Sequence, residues 1–143
     1  MEGKKSARAC RSLGAGVLLA VFLGACNQPR AAKPDLRKLI LAANTAQYCH
    51  PQEACFNPHI LSLEGGYVVT TFIDAKPQYS QVRTTDLEGH LLALPMSAWP
   101  RGPVITISPS DDVSDPKAVR KNFSAAQDLC RSLGLDVQIR RGG

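Results

Sequence analysis

The chain has 143 residues, a formal net charge of +5, and 44% hydrophobic and 6% aromatic residues. This length accommodates one domain, and the composition is that of a globular protein, which argues against a disordered chain and a polytopic membrane protein. A balance of +3 lies before Cys26, where four basic residues oppose Glu2, so the remaining chain carries only +2. Without a basic cluster, so small a charge does not favour a nucleic acid as partner.

The N-terminal segment has the charge and hydropathy pattern of a secretion signal. Residues 1–11 are basic, and the 11 residues Leu13–Leu23 are apolar or small. That run has the length of a signal-peptide hydrophobic region and is far shorter than the ~20 residues needed to span a bilayer. We therefore expect residues 1–25 to be a signal peptide that is removed from the mature protein.

The residues that follow this run are Leu23-Gly24-Ala25-Cys26, an aliphatic residue, two small residues and a cysteine. They resemble the lipobox of bacterial lipoproteins. The resemblance implies that Cys26 is lipidated, with palmitate among its acyl chains, and that these chains anchor the protein on the periplasmic side of a membrane. Asn27 takes the place of the aspartate that retains such proteins at the inner membrane, which favours the outer membrane. The alternative is an ordinary secreted protein with a cysteine at this position by chance.

A short tether and a helix are predicted after the anchor. Residues 26–34 are small, polar and proline-containing, as in a flexible linker. Asp35 can cap a helix, and apolar residues then recur at helical spacing, at Leu36, Leu39, Ile40, Ala43 and Ala46. We expect a helix from Asp35 to about Gln47.

Two β-hairpins are predicted in the middle of the chain. In the first, Ile60–Leu63 and Tyr67–Ile73 flank Glu64-Gly65-Gly66, and in the second, Tyr79–Thr85 and His90–Leu94 flank Asp86–Gly89. Glycines tolerate the positive φ angles of tight turns, so both connections suit a hairpin. Two successive hairpins predict an antiparallel meander.

The last third of the chain predicts a strand, a helix and a strand. Val104–Ser108 is the first strand, Ser114-Asp115-Pro116 opens the helix, and Leu135–Arg140 is the second strand. One helix face carries Val119, Phe123, Ala126, Cys130 and Leu133, and Gly134 follows as a cap. The predicted fold class is α+β, a single periplasmic domain over residues 35–143. Its antiparallel or mixed sheet of hairpins packs against two helices and closes with this strand-helix-strand unit.

Three cysteines follow Cys26, and their odd number allows more than one pairing. In an oxidising compartment Cys49 and Cys55 form the simplest disulfide, because they close a short loop. Cys130 falls on the apolar face of the last helix, where a free cysteine behaves as a small apolar side chain. A disulfide from either loop cysteine to Cys130 is the alternative.

The loop around these cysteines is also rich in metal-ligand types, with Cys49, His50, Glu53, Cys55 and His59 within 11 residues. Thiolates and imidazoles suit copper(I) or zinc. Their spacing matches no standard ligand pattern, and oxidation would remove the thiols, so we predict no metal. A metal-binding loop stays open as an alternative, with histidines on the surface as the simpler interpretation.

No catalytic motif is present in the sequence. There is no Gly-x-Ser-x-Gly elbow, glycine-rich phosphate loop or dinucleotide fingerprint. Asp111 and Asp112 follow a predicted strand, where catalytic carboxylates occur, but turn formation explains them as well. We predict no enzyme, no catalytic residue and no cofactor.

Trp99 and Arg101 are the candidates for partner binding. They lie in Ala98–Pro103, a proline-rich loop, and tryptophan and arginine are frequent interface anchors. A Trp99 ring folded over the core is the alternative. Arg140 and Arg141 add a basic end that could touch a partner or acidic lipid, or remain solvated.

The functional expectation is a non-catalytic, membrane-anchored binding protein. Its partners would be the membrane, through the lipid anchor, and another envelope protein in a secretion, conjugation or pilus apparatus. One alternative is an inhibitor, immunity or exclusion lipoprotein with the Trp99 loop as its plug. Another is a periplasmic metal-binding protein that uses the Cys49–His59 loop.

Overall fold

A computed structural model describes residues 33–49 and 54–141, which lie in the compact unit Ala32–Gly143. The expected signal peptide, Cys26 and most of the tether lie outside the described residues. Within the described ranges, no helix has the length and apolar character needed to cross a membrane.

The described strands form one mixed sheet. They are β1 (His59–Ser62), β2 (Tyr67–Ile73), β3 (Lys76–Val82), β4 (Val104–Pro109) and β5 (Asp136–Ile139). Their order across the sheet is β3-β2-β1-β4-β5. The meander β1-β2-β3 is antiparallel, whereas β4 runs parallel to both β1 and β5. The earliest strand in the chain therefore lies at the centre of the sheet.

The first hairpin is confirmed, and its glycine is needed for packing. Gly66 follows the turn between β1 and β2, where the Leu63 N–H donates to the Gly66 carbonyl at 2.9 Å. A Cβ atom at Gly66 would lie 2.5 Å from the main-chain oxygen of Val82 on β3. Since that distance is far below van der Waals contact, only glycine allows the turn to approach β3 so closely.

The predicted second hairpin is wrong. β2 and β3 are joined directly through Asp74 and Ala75, with φ angles of 52° and 57°, the backbone of a type I′ turn. Residues 87–93 form helix α2 (Leu87–Ala93) instead of a turn and a strand. Leu87 and Leu91 lie one helical turn apart and are both buried, so burial of this pair favours a helix at the position where Asp86–Gly89 suggested a turn.

The predicted first helix is interrupted. Helix α1 (Leu36–Ala42) begins after Asp35, whose side chain accepts from the Lys38 N–H, as expected of a cap. Asn44 then adopts a left-handed conformation with φ 48°, and a short 3-10 helix follows at Thr45–Tyr48. Asparagine tolerates this conformation better than most residues, which explains why the helical pattern is broken there.

The strand-helix-strand ending is confirmed. Helix α3 (Pro116–Ser132) connects β4 to the parallel strand β5, and Asp115 caps its start by accepting from the Lys117 and Ala118 N–H groups. The α+β class with a mixed sheet is therefore correct, although the described residues contain three α-helices where two were predicted.

One face of the sheet and all three helices form the core. Its buried apolar members include Leu36 and Ile40 of α1, Leu87 and Leu91 of α2, Ala126 and Cys130 of α3, Trp99, and the sheet residues Ile60, Val69, Ile105 and Ile107. Phe123 is only partly buried against this cluster. Because strand residues alternate between faces, the neighbours of these sheet residues point to the opposite face.

Candidate functional site

The opposite face of the sheet, which we call the open face, is not covered by any described helix. The registers of the strand pairs align one residue from each strand in a row across it: Tyr79, Thr70, His59, Thr106 and Gln138. We call these five residues the central row. All can form hydrogen bonds, so the middle of the open face is a continuous polar band.

A groove of about 680 Å³ runs over the central row. Its other lining residues are Phe56, Asn57, Phe72, Arg101, Val104 and Arg140. This volume is in the range of small-molecule and short-peptide sites. The lining thus combines two guanidinium groups with aromatic and aliphatic side chains, and includes no Asp or Glu.

Phe56 and Phe72 form an aromatic wall at one side of the groove. Their ring centroids are 4.8 Å apart with an interplanar angle of 40°, within the range of favourable aromatic pairs. Phe56 follows Cys55, whose disulfide with Cys49 has a Cα–Cα distance of 5.6 Å. The predicted disulfide is confirmed, and it ties the segment that carries Phe56 to the end of the 3-10 helix.

Asn57 holds the segment that carries Arg101. Its Oδ1 accepts from the Arg101 main-chain N–H at 2.8 Å, and its Nδ2 donates to the carbonyls of Gly102 at 2.8 Å and Val104 at 2.7 Å. One side chain therefore satisfies three main-chain groups of a loop. This contact fixes the backbone from which the Arg101 side chain enters the groove.

His59 lies at the centre of the open face and joins the two middle strands. Its Nε2 is 2.8 Å from Oγ of Ser108 on β4. Burial lowers the pKa of the His59 imidazole, and the nearby positive charge of Arg140 lowers it further. Both effects favour the neutral form of the imidazole, which can still take part in hydrogen bonds.

The contact of His59 with Ser108 has the distance of a nucleophile-base pair. In such pairs a third group orients the imidazole through its other nitrogen, and no hydrogen bond to Nδ1 of His59 is present among the described residues. Ser108 is also buried, with 5% of its surface exposed. We interpret the contact as a cross-strand hydrogen bond that orders the open face.

The structure separates the two predicted partner-binding residues. Arg101 is exposed and lines the groove, so its role in partner binding stays a prediction. Trp99 has 0% of its surface exposed and belongs to the core, so a role as a surface anchor is wrong. The physical reason is that the 3-10 helix at Met96–Ala98 and Pro100 turn the indole inward, where it buries a large apolar area.

The three candidate metal ligands that the structure describes already have other partners. Cys49 and Cys55 are joined to each other, His59 contacts Ser108, and His50 and Glu53 lie outside the described residues. Within residues 33–49 and 54–141 no group of three His, Cys, Asp or Glu side chains could hold a metal ion. While the disulfide is intact, neither cysteine of this loop can bind a metal ion as a thiolate, which weakens the metal-binding alternative.

The remaining candidates lie beyond the groove. Asp111 and Asp112 are exposed in the loop after β4 and line a neighbouring concavity of about 650 Å³ together with His59 and Arg140. Their position fits the turn interpretation of the sequence. Cys26, the predicted lipidation site, lies outside the described residues.

Sequence reasoning missed most of the groove. The sequence places Phe72 and Tyr79 in predicted strands and Arg140 at a basic end, and no pattern links them to one another or to Phe56. Strict alternation along the strands, which separates Thr70 and Thr106 from their buried neighbours, was the available signal. The side chains from five strands could be combined only once the strand order was known.

No protein-family model matches this chain, and no curated protein or solved structure is significantly similar to it.

Proposed function

We propose that this chain is a lipoprotein of the bacterial cell envelope, lipidated at Cys26, whose folded domain binds another envelope protein through the open face. In this role it is a non-catalytic accessory component of an assembly such as a secretion, conjugation or pilus apparatus. The anchor is supported by Leu23-Gly24-Ala25-Cys26 after a basic and an apolar segment. Asn27 favours the periplasmic side of the outer membrane.

One observation carries the binding role, namely the groove across the open face. Arg101 and Arg140 line it, and neither forms an ion pair with another described residue. Tyr79 is 70% exposed and Phe56 is 48% exposed beside it. Arginine and aromatic side chains are enriched in protein interfaces, because they combine large apolar area with directional hydrogen bonds.

Site-specific photocrosslinking in intact cells tests this role. A photoreactive phenylalanine derivative would replace Tyr79 or Gln138 on the open face, and Lys121 on α3 as the control. We expect the same envelope protein to be crosslinked from both open-face positions and not from position 121. Absence of an adduct from the open face, or an equal adduct from position 121, would contradict the proposal. A single soluble toxin or enzyme as the adduct would instead support the inhibitor alternative.

Two further measurements test the other parts of the proposal, which are the lipid anchor and the non-catalytic role. Cys26→Ser is expected to abolish lipid labelling and release the domain from the membrane fraction. A fluorophosphonate reagent, which labels activated serines, is expected to leave Ser108 unmodified. Stoichiometric labelling of Ser108, lost in a His59→Gln variant, would replace the non-catalytic role with hydrolase activity.

A further inference from the structure

We propose that the groove receives an extended acidic peptide segment of a partner protein. Its carboxylates would bind Arg101 and Arg140, and an apolar side chain between them would pack against Val104. This inference rests on the proposed function, since it specifies the chemistry of the segment that the open face binds. It is carried by the charge of the groove, the main-chain levels of its arginines along β4 and the side chains at the level between them.

Charge complementarity identifies the partner as acidic. The two arginines have no carboxylate partner among the described residues, and the groove lining contains no acidic side chain. A guanidinium group binds a carboxylate through two parallel hydrogen bonds, which gives both attraction and orientation. A basic partner would meet only repulsion from these groups.

The spacing of the arginines fits an extended chain. Ile139 pairs with Ile107, so Arg140 follows at the level of Ser108. The main chain of Arg101 lies near Val104 instead, because the Asn57 side chain bonds to both. Val104 and Ser108 are four residues apart on β4, which is about 13 Å along a strand. Two carboxylates four residues apart on an extended peptide have this separation and point to the same side.

The surface between the arginines fits the rest of such a segment. Thr106 and Gln138 of the central row lie between the levels of Val104 and Ser108 and offer hydrogen bonds to peptide groups. Val104 offers an apolar contact at the Arg101 end of this surface. A single-stranded nucleic acid is less well matched, because it requires a track of basic residues along its backbone. The groove supplies two arginines at separate levels instead of such a track.

Isothermal titration calorimetry with defined peptides tests the inference on the processed protein isolated from membranes in mild detergent. The test peptide is Glu-Ser-Phe-Ser-Glu with blocked ends, in which both carboxylates and the phenyl ring share one side. The comparison peptides are Lys-Ser-Phe-Ser-Lys and Glu-Ser-Ser-Ser-Glu. A hexamer of thymidylate represents nucleic acid.

We expect the acidic phenylalanine peptide to bind at least tenfold more tightly than the lysine peptide and at least threefold more tightly than the all-serine acidic peptide. Arg101→Gln and Arg140→Gln should each weaken binding about fivefold. Arg120→Gln is the matched control, because Arg120 is exposed on α3, and it should leave the affinity unchanged. Both groove arginines are exposed, so these variants should fold normally.

Other outcomes would overturn the inference. They are equal binding of the acidic and basic peptides, no saturable binding at millimolar peptide, tighter binding of the thymidylate hexamer, or an equal effect of Arg120→Gln. If open-face crosslinking to an envelope protein is observed while the peptides show no charge preference, the proposed function stands and only the acidic specificity fails. If both tests are negative, the open face is not the binding surface.

Discussion

Asn57 and Arg101, 44 residues apart in the chain, are joined by a 2.8 Å hydrogen bond from the Arg101 main-chain N–H to the Asn57 side chain. With the two bonds to Gly102 and Val104, it fastens the loop before β4 to the segment before β1. The groove arginine is thus positioned by a residue that does not itself need to touch a ligand.

Asn57→Ala should lower the free energy of unfolding by about 2 kcal/mol, because three main-chain groups in a partly buried site lose their partner. Denaturant unfolding followed by tryptophan fluorescence measures this change. Gln78→Ala, at an exposed position of β3, is the control and should change stability by less than about 0.5 kcal/mol. A similarly small effect of Asn57→Ala would show that the loop is held by other contacts.

Trp99 is the single tryptophan of the chain, and its substitution should affect the packing of the core and therefore the stability of the fold. Trp99→Ala should cost about 4 kcal/mol through the cavity it leaves. Trp99→Phe should cost less, because the buried indole N–H has no hydrogen-bond partner among the described residues and its removal breaks no bond with them. Circular dichroism measures the unfolding of both variants.

In the native protein, Trp99 emission should be blue-shifted and resistant to iodide quenching. Guanidinium unfolding should remove both properties. Efficient quenching of the native protein would mean that the ring reaches the surface, and would restore Trp99 as a candidate for partner contact.

The thiol of Cys130 should be unreactive in the native state. It is buried, and burial raises the pKa of this thiol to about 12, so almost no thiolate is present near pH 8. Without reductant, the processed protein should expose no reactive thiol when folded and one thiol when unfolded in guanidinium, as measured with an aromatic disulfide reagent. Three thiols in the unfolded sample would mean that Cys49 and Cys55 are not bonded, and Cys130→Ala should remove the one expected.

Glu64 should make stability dependent on acidic pH. Its carboxylate accepts hydrogen bonds from the Asp115 N–H at 2.7 Å and from the side chain and N–H of Ser114. The bonds from Asp115 and Ser114 lower the pKa of Glu64 below its ordinary value of 4.5. Because the unfolded chain binds the proton more readily, the stabilisation is present above pH 4.5 and is lost as the pH falls through the lower folded-state pKa.

Thermal unfolding between pH 7 and pH 3 tests this assignment with Glu64→Gln as the variant. We expect the variant to be less stable than the parent at pH 7 and the difference to shrink toward pH 3. Asp111→Asn, at an exposed position in the loop after β4, is the control. A constant difference across the pH range would show that the charge of Glu64 does not matter.

The pKa of His59 should lie below 6.5, and NMR titration of the imidazole resonances can measure it. Burial is the larger cause and the charge of Arg140 the smaller, so Arg140→Gln should raise this pKa without restoring 6.5. The depressed pKa contributes stability that is complete above pH 6.5 and is lost as the pH falls toward the folded-state value. A His59 pKa above 6.5 would contradict both the burial and the proximity of Arg140.

The sequence predicted features that depend on local chemistry. The cap residues Asp35 and Asp115, the Gly65-Gly66 turn and the short disulfide loop involve interactions within a few residues, and the structure has them. The failures arose where tertiary burial decided between two local possibilities. Leu87 and Leu91 are compatible with a strand or a helix, and their contact with the core selects α2.

The candidate site was less accessible to prediction, because it is assembled from residues distant in the chain. The sequence offers Arg101 and Trp99 as a pair from one loop, but Arg101 lines the groove whereas Trp99 is buried in the core. Phe72 and Thr106 can be assigned to one groove only when β2 and β4 are known to lie on either side of β1. That order depends on a parallel pairing that no local pattern encodes.

The central place of β1 has a consequence for how this chain acquires its structure. His59 and its partner Ser108 are separated by 49 residues, so the middle of the sheet cannot close until β4 is available. When the chain is delivered progressively from its N-terminus, only the β1-β2-β3 meander can form early, with its apolar side still lacking α3. Long-range pairing of this kind slows folding, and under the export that we propose such a delay would keep the chain extended while it crosses the membrane.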